Sequence, residues 1–156
     1  MKKFLAVLFS VCCLSSVAVA QSKSSAPNTE GKLELGIRMS VTPGVTGVYK
    51  LGEQQSIEGL LNFDGNAAIL SGFYRYNFGL LSSNIPGLTW YGGAGAHLRM
   101  DSGLTLGAGA MIGLQYTFDE APINISIDWK PSFDIVGVDG GGGHYNDVGL
   151  SVRYMF

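Results

Sequence analysis

The sequence predicts an all-β fold, an eight-stranded antiparallel up-and-down transmembrane β-barrel. Three observations carry that reading. From Gly31 onward, apolar residues recur at every second position through eight segments separated by turn signals. Most segments run 8–12 residues, where ~9–11 tilted residues cross a bilayer and ordinary strands hold ~5–6. Charged residues avoid the apolar phase of every segment.

The first segment, about 31–41, places Leu33, Leu35, Ile37, Met39 and Val41 on one face, and Thr42-Pro43-Gly44 turns it. The second, about 45–51, carries Val45, Tyr49 and Leu51 before a polar turn from Gly52 to Gln55. Ile57, Leu61 and Phe63 mark the third, 56–63, which ends at Asp64-Gly65. Ala68, Leu70, Tyr74 and Tyr76 mark the fourth, 67–77, and a longer connection from Phe78 to Gly87 follows. The fifth, 88–99, carries Leu88, Trp90, Ala94, Ala96 and Leu98 up to the turn Asp101-Ser102-Gly103. Leu104, Leu106, Ala108, Ala110, Ile112, Leu114 and Tyr116 alternate along the sixth, 104–117. The seventh, 123–133, holds Ile123, Ile125, Ile127, Trp129 and Phe133. A Gly-rich loop, 136–146, leads into the eighth, 147–156, with Val148, Leu150, Val152, Tyr154 and Phe156.

The opposite phase holds Lys32, Glu34, Arg38, Lys50, Glu58, Arg75, Arg99, Asp128, Lys130, Asp147 and Arg153. Two architectures accommodate such strands. A soluble lipocalin-like carrier would turn the apolar face inward. A membrane barrel turns it to lipid and lines its interior with the polar phase. Strand length favours the second, and closure leaves no unpaired edge in lipid.

Only 14% of residues are charged, against ~25% in ordinary soluble domains, and the 23 glycines are roughly twice the usual share. Net charge is −2 and no basic cluster points to nucleic acid. Residues 1–20 read as a cleaved signal peptide: Lys2 and Lys3, an apolar run from Phe4 to Leu14, and Ala18-Val19-Ala20 before Gln21. Cys12 and Cys13 sit too early for a lipoprotein signal, and cleavage removes both, so no disulfide or thiolate chemistry is expected. Residues 21–30 read as a flexible polar leader and 31–156 as the barrel. Export without a later spanning helix points to the outer membrane of a Gram-negative bacterium.

With both termini periplasmic, Tyr49, Tyr76, Trp90, Tyr116, Tyr154 and Phe156 fall near the inner interface. Phe63, Trp129, Phe133 and Tyr145 fall near the outer one, giving the two aromatic girdles of such barrels. Gly93, Gly95, Gly107, Gly109 and Gly113 take the inward phase, leaving room for long Arg and Glu chains from the opposite wall.

On these residues the chain resembles the small outer-membrane barrels, OmpX-like and OmpA-transmembrane-like, and is similar to barrels of Bacteroidetes-type bacteria. The resemblance rests on YGGAGAHLRM from Tyr91, APINISIDWKPSFDI from Ala121 and the terminal GLSVRYMF, and it spans Gly31 to Phe156. It implies a monomer with a lipid bilayer and lipopolysaccharide around it, and a final Phe156 read by the barrel-assembly machinery. It specifies architecture strongly and activity hardly at all.

The inward charges Glu34, Arg38, Glu58, Arg75, Arg99, Asp128, Lys130 and Arg153 are expected to form a structural network, because eight strands leave no aqueous channel. Glu34 is expected to pair with Arg153 across the seam, and Asp128 and Lys130 with Arg38 or Arg99. His97 lacks the His-x-Ser pattern of lipid A deacylase barrels, being followed by Leu98 and Arg99. The loop GVDGGGGHYND, from Gly137 to Asp147, lacks the ending of a phosphate loop and offers His144 and Tyr145 as surface contacts. No catalytic residue, cofactor or metal is expected. The leading expectation is a non-enzymatic barrel with a structural or surface-interaction role and a filled, non-conducting lumen. A lipid-modifying barrel enzyme and a small ligand-binding barrel are the alternatives.

Overall fold

A computed structural model describes residues 32–81, 85, 87–137 and 143–156. The expected signal peptide and leader lie outside the described residues. Eight strands follow in order: β1 (Leu33–Met39), β2 (Gly44–Lys50), β3 (Gln55–Asp64), β4 (Ala67–Leu80), β5 (Leu88–Met100), β6 (Leu104–Thr117), β7 (Ile123–Val136) and β8 (His144–Met155). Each pairs antiparallel with its sequence neighbour, and β8 pairs back to β1, so the sheet closes. The fold is an eight-stranded transmembrane β-barrel.

Side-chain burial inverts that of a soluble protein. Leu35, Ile37, Val45, Ile57, Leu70, Ile112, Ile127 and Val148 are all exposed on the outside. Glu34, Arg38, Glu58, Arg75, Asp128 and Arg153 are all buried within. A strand's period of two makes this possible, since alternate residues face opposite sides of one sheet. An apolar exterior is stable where the surroundings are lipid, and closure satisfies every strand's backbone groups.

The seam depends on Gly36. It lies opposite Arg153 in the β1–β8 register, and a side chain there would run into the Val152 carbonyl oxygen. The shortest hairpin depends on Gly65. Asp64 faces Ala67 across Gly65-Asn66, and Gly65 adopts a φ of 57°, the left-handed turn that fits a two-residue β-hairpin.

Three strands run three residues past their expected ends. β4 reaches Leu80 through a bulge that leaves Phe78 as the extra residue between Asn77 and Gly79, with φ 99° at Gly79. β7 reaches Val136, and β8 begins at His144 rather than Asp147. The Phe133–His144 and Ser132–Tyr145 pairs hold that extension. His144 and Tyr145 therefore belong to a strand and not to the Gly-rich loop.

The interior is also less polar than strand phase suggests. Leu60, Phe73, Tyr91 and Met111 form a buried apolar cluster at inward positions. They fill the space that the glycine wall leaves. An added Cβ at Gly109 would lie 3.5 Å from the Phe73 ring, and one at Gly113 2.8 Å from that of Tyr91.

Candidate functional site

The lumen is the one place where charges converge in the described chain, and it has three levels. At the first, Glu58 on β3 sits between two guanidinium groups. Arg75 Nη1 donates to Glu58 Oε2 at 2.8 Å, and Arg153 Nη2 donates to Oε1 at 2.7 Å. Thr46 Oγ1 adds a third donor at 2.7 Å. Arg153 also donates to Ser126 Oγ at 2.8 Å, and Arg75 to Gln115 Oε1 at 2.8 Å. The Arg75 guanidinium lies 3.7 Å from the centre of the Tyr91 ring. Both side chains of the Glu58–Arg153 pair are inaccessible to solvent. Buried charges persist only when each finds such partners.

This arrangement corrects one expected pairing. Glu34 bonds Lys50 at 3.3 Å, not Arg153. Arg153 stands opposite Gly36, which has no side chain to block it, so it extends across the lumen to Glu58.

At the second level Arg38 bridges two acids. It lies 2.7 Å from Asp128 and 3.1 Å from Asp147, while Lys130 approaches Asp147 at 3.7 Å. Tyr91 donates its hydroxyl to Asp128 at 2.9 Å. Gly149 makes room, because a Cβ there would meet the Arg38 guanidinium.

The third level is the rim opposite the termini. Arg99 donates to Asp64 at 2.9 Å and more weakly to Asp101 at 3.4 Å. Arg99 thus pairs with turn acids, not with Asp128. The Asp101 carboxyl is held below the usual carboxylate range, first by the Gly103 backbone N–H and then by Arg99. His97 Nε2 donates to Asp134 Oδ1 at 2.9 Å, and the Asp134 backbone N–H donates to the Gly143 carbonyl. Asp134 lies one residue beyond the expected end of the seventh segment, inside the longer β7. Its even-numbered phase, shared with Asp128 and Lys130, was the signal for it.

Between the second and third levels lies a cavity of about 280 Å³, lined by Asn62, Phe73, His97, Lys130, Tyr145 and Asp147 among others. His144 also borders it. Ser71 stands opposite His97 in the β4–β5 register, but His97 Nδ1 has no hydrogen-bond partner.

The aromatic belts differ in detail from expectation. At the termini end, Phe78 stacks on Trp90 at 4.2 Å and meets Tyr76 at 5.2 Å. Tyr116 pairs with Phe118, and Tyr154 with Phe156. Phe78 and Phe118, read as connections, are part of these clusters. Tyr49 and Phe133 are exposed on the outer surface. Trp129 is seventh of the fourteen residues of β7 and pairs with Ile112 and Val148, so it stands at mid-strand. The extension of β7 to Val136 moves the strand's end away from it. Tyr145 shares the phase of Asp147 and borders the cavity, rather than facing lipid.

No protein-family model matches the chain, and no curated protein sequence does. Solved structures do. The N-terminal β-barrel domain of Pseudomonas aeruginosa OprF is similar at TM-score 0.57 and 19% identity, over 81% of this chain and 100% of that one. Neisserial surface protein A is similar at TM-score 0.55 and 12% identity, over 80% of this chain and 94% of that one. A de novo designed transmembrane β-barrel is similar at TM-score 0.55 and 16% identity, over 86% of this chain and 100% of that one. At these identities the likeness is one of fold.

Proposed function

We propose that the protein is a non-enzymatic integral barrel of a Gram-negative outer membrane, with a structural role and a recognising outer end. Its lumen is closed by side chains and does not conduct. The observation that carries this reading is the double inversion of polarity, with an apolar surface around the barrel and a buried ion-paired plug inside. Glu58, Arg75 and Arg153 meet across the lumen, which leaves no continuous path for ions at that level. The termini lie on the periplasmic side, so the cavity and the rim charges face outward. Lipid and lipopolysaccharide surround the apolar wall, and Phe156 engages the assembly machinery.

Fractionation with gel mobility tests this. The protein is expected in the outer-membrane fraction, migrating differently when boiled and unboiled, and silent in planar bilayers. Recovery in a soluble fraction, or steady conductance from folded protein, would overturn it. Deleting Phe156 is expected to reduce assembled protein in cells while leaving detergent refolding possible.

A further inference from the structure

The wall of the barrel is not equally tall all round. β1 and β2 hold 7 residues each, β5 holds 13, and β4, β6 and β7 hold 14. Strands of one closed sheet share a tilt of ~35–45°, so each residue adds about 2.5 Å of height. The short strands then rise roughly 17 Å and the long ones roughly 35 Å, against an apolar band of ~25 Å.

The shortfall lies at the outer end. Near the termini β1, β2, β7 and β8 finish together, with Lys50 N–H donating to the Lys32 carbonyl, Phe156 to Leu33 and Met155 to Pro122. At the outer end β1 stops at Met39, opposite Leu150, and β8 runs on for six residues to His144 with β7 alone beside it. Barrel stagger accounts for about one of those six. Past Leu150, the backbone groups of Val148, Asn146 and His144 share the phase of Phe156, so they turn toward a side where no strand of the described residues lies.

The β1–β2 turn is suited to an apolar setting. Val41 at its tip is 84% exposed, whereas the other two described outer turns expose Asp64 and Asp101. Its carbonyls are satisfied from within. Thr42 accepts from Ser40 Oγ at 2.8 Å and from Asn62 Nδ2, and Pro43 accepts from the Phe63 N–H at 2.9 Å. Pro43 has no N–H to satisfy.

We propose that the β1–β2 side thins the outer leaflet. Headgroups and water descend there to the level of Val41, several ångströms below their level around β4 to β7, and the partner of this surface is the bilayer itself. A leaflet of full thickness would lay hydrocarbon against the open edge of β8, whose backbone groups no lipid chain satisfies. A wall shorter than the hydrocarbon is met instead by thinning. Val41 and Thr42 also line the outer cavity, so the lowered interface adjoins its side. The proposal rests on the membrane reading.

Nitroxide labels on the full folded chain in bilayers of oleoyl lipids test this, with Val41→Cys set against Ala108→Cys. Val41 is the ninth residue counted from the termini end of β1 and Ala108 the tenth from that end of β6, so a flat bilayer gives both nearly the same depth. Relaxation by a water-soluble nickel complex is expected to be several-fold greater at Val41, and relaxation by oxygen greater at Ala108. In lauroyl lipids the gap is expected to shrink, because a thin bilayer has little left to thin. Labels at Tyr49 and Tyr116, near the termini, are expected at matching depths. Boiled and unboiled gel mobility confirms that each variant is folded. Equal, oxygen-dominated relaxation at Val41 and Ala108 overturns the proposal, since full-thickness lipid then covers the hairpin. A Val41 label shielded from both reagents does so as well, since a protein segment or a second copy then covers it. A deeper Tyr49 label means that the whole barrel tilts, and a gap unchanged in lauroyl lipids means that the turn merely stands clear; either result rejects thinning. Such failure leaves the membrane reading standing, because that reading is tested by fractionation and conductance.

Discussion

The two ends of the lumen solve the problem of buried charge differently. At the level of Glu58, one carboxylate takes donors from Arg75, Arg153 and Thr46, with Leu60, Phe73, Tyr91 and Met111 packed beside it. Little space remains there. At the outer end a cavity of about 280 Å³ opens beside Lys130, His97 and Asp147. The closed end is packed around its ion pairs, and the outer end keeps open space. Buried ion pairs are therefore weak evidence of a conduction path when they lie in a packed plug.

Breaking the closed end should have the largest effect. Glu58→Ala strands two buried guanidinium groups and is expected to cost about 5 kcal/mol of stability, read by urea unfolding in micelles. Arg153→Ala leaves Glu58 with Arg75 and Thr46, so a cost of about 3 kcal/mol is expected, with no conductance in planar bilayers. A stable Arg153→Ala protein that conducts would break the contrast between the ends. Gly113→Val forces a side chain toward Tyr91 and Asp128, and overpacking of about 1–3 kcal/mol should appear in the same unfolding curves. Asp134→Asn at the open end removes the charge facing His97 and Tyr145 and is expected to cost about 1 kcal/mol.

The smallest effect belongs to Asp101 on the exposed β5–β6 turn. Its folded pKa is depressed, chiefly by the Gly103 N–H, so its contribution is present above the unfolded value. That contribution is lost as pH falls through the lower folded value. Carbon-detected NMR of the carboxyl should show titration below that of an unfolded aspartate, and Asp101→Asn should remove the signal.

Much of this fold was legible because a strand has a period of two. Glu34, Arg38, Glu58 and Arg153 occupy the phase opposite to Leu35, Ile37, Ile57 and Val152, and the barrel follows from those faces. Pairing across the lumen was not legible. Arg153 bonds Glu58 rather than Glu34 because the seam register places it opposite Gly36, and register depends on contacts far apart in sequence. Asp134 lies past the Pro131-to-Phe133 stretch where the alternation weakens, and Phe78 sits in a bulge that ordinary alternation does not announce. Leu60, Phe73, Tyr91 and Met111 share the inward phase with the charges, so alternation alone does not mark them as an apolar cluster. The cavity itself arises from side chains on five strands, β3, β4, β5, β7 and β8, together with the β1–β2 turn, and no local spacing reveals it.

Which face meets lipid is the central claim, and nitroxide accessibility tests it most directly. Cys12 and Cys13 are the sequence's two cysteines and fall in the expected signal peptide, so single cysteines can be placed freely. Labels at Ile37, Leu70 and Ile127 in protein reconstituted into bilayers should be relaxed strongly by oxygen and weakly by a water-soluble nickel complex. Labels at Ser126 and Ser151 should be shielded from both. Strong relaxation by nickel at Ile37, Leu70 and Ile127 would contradict the account.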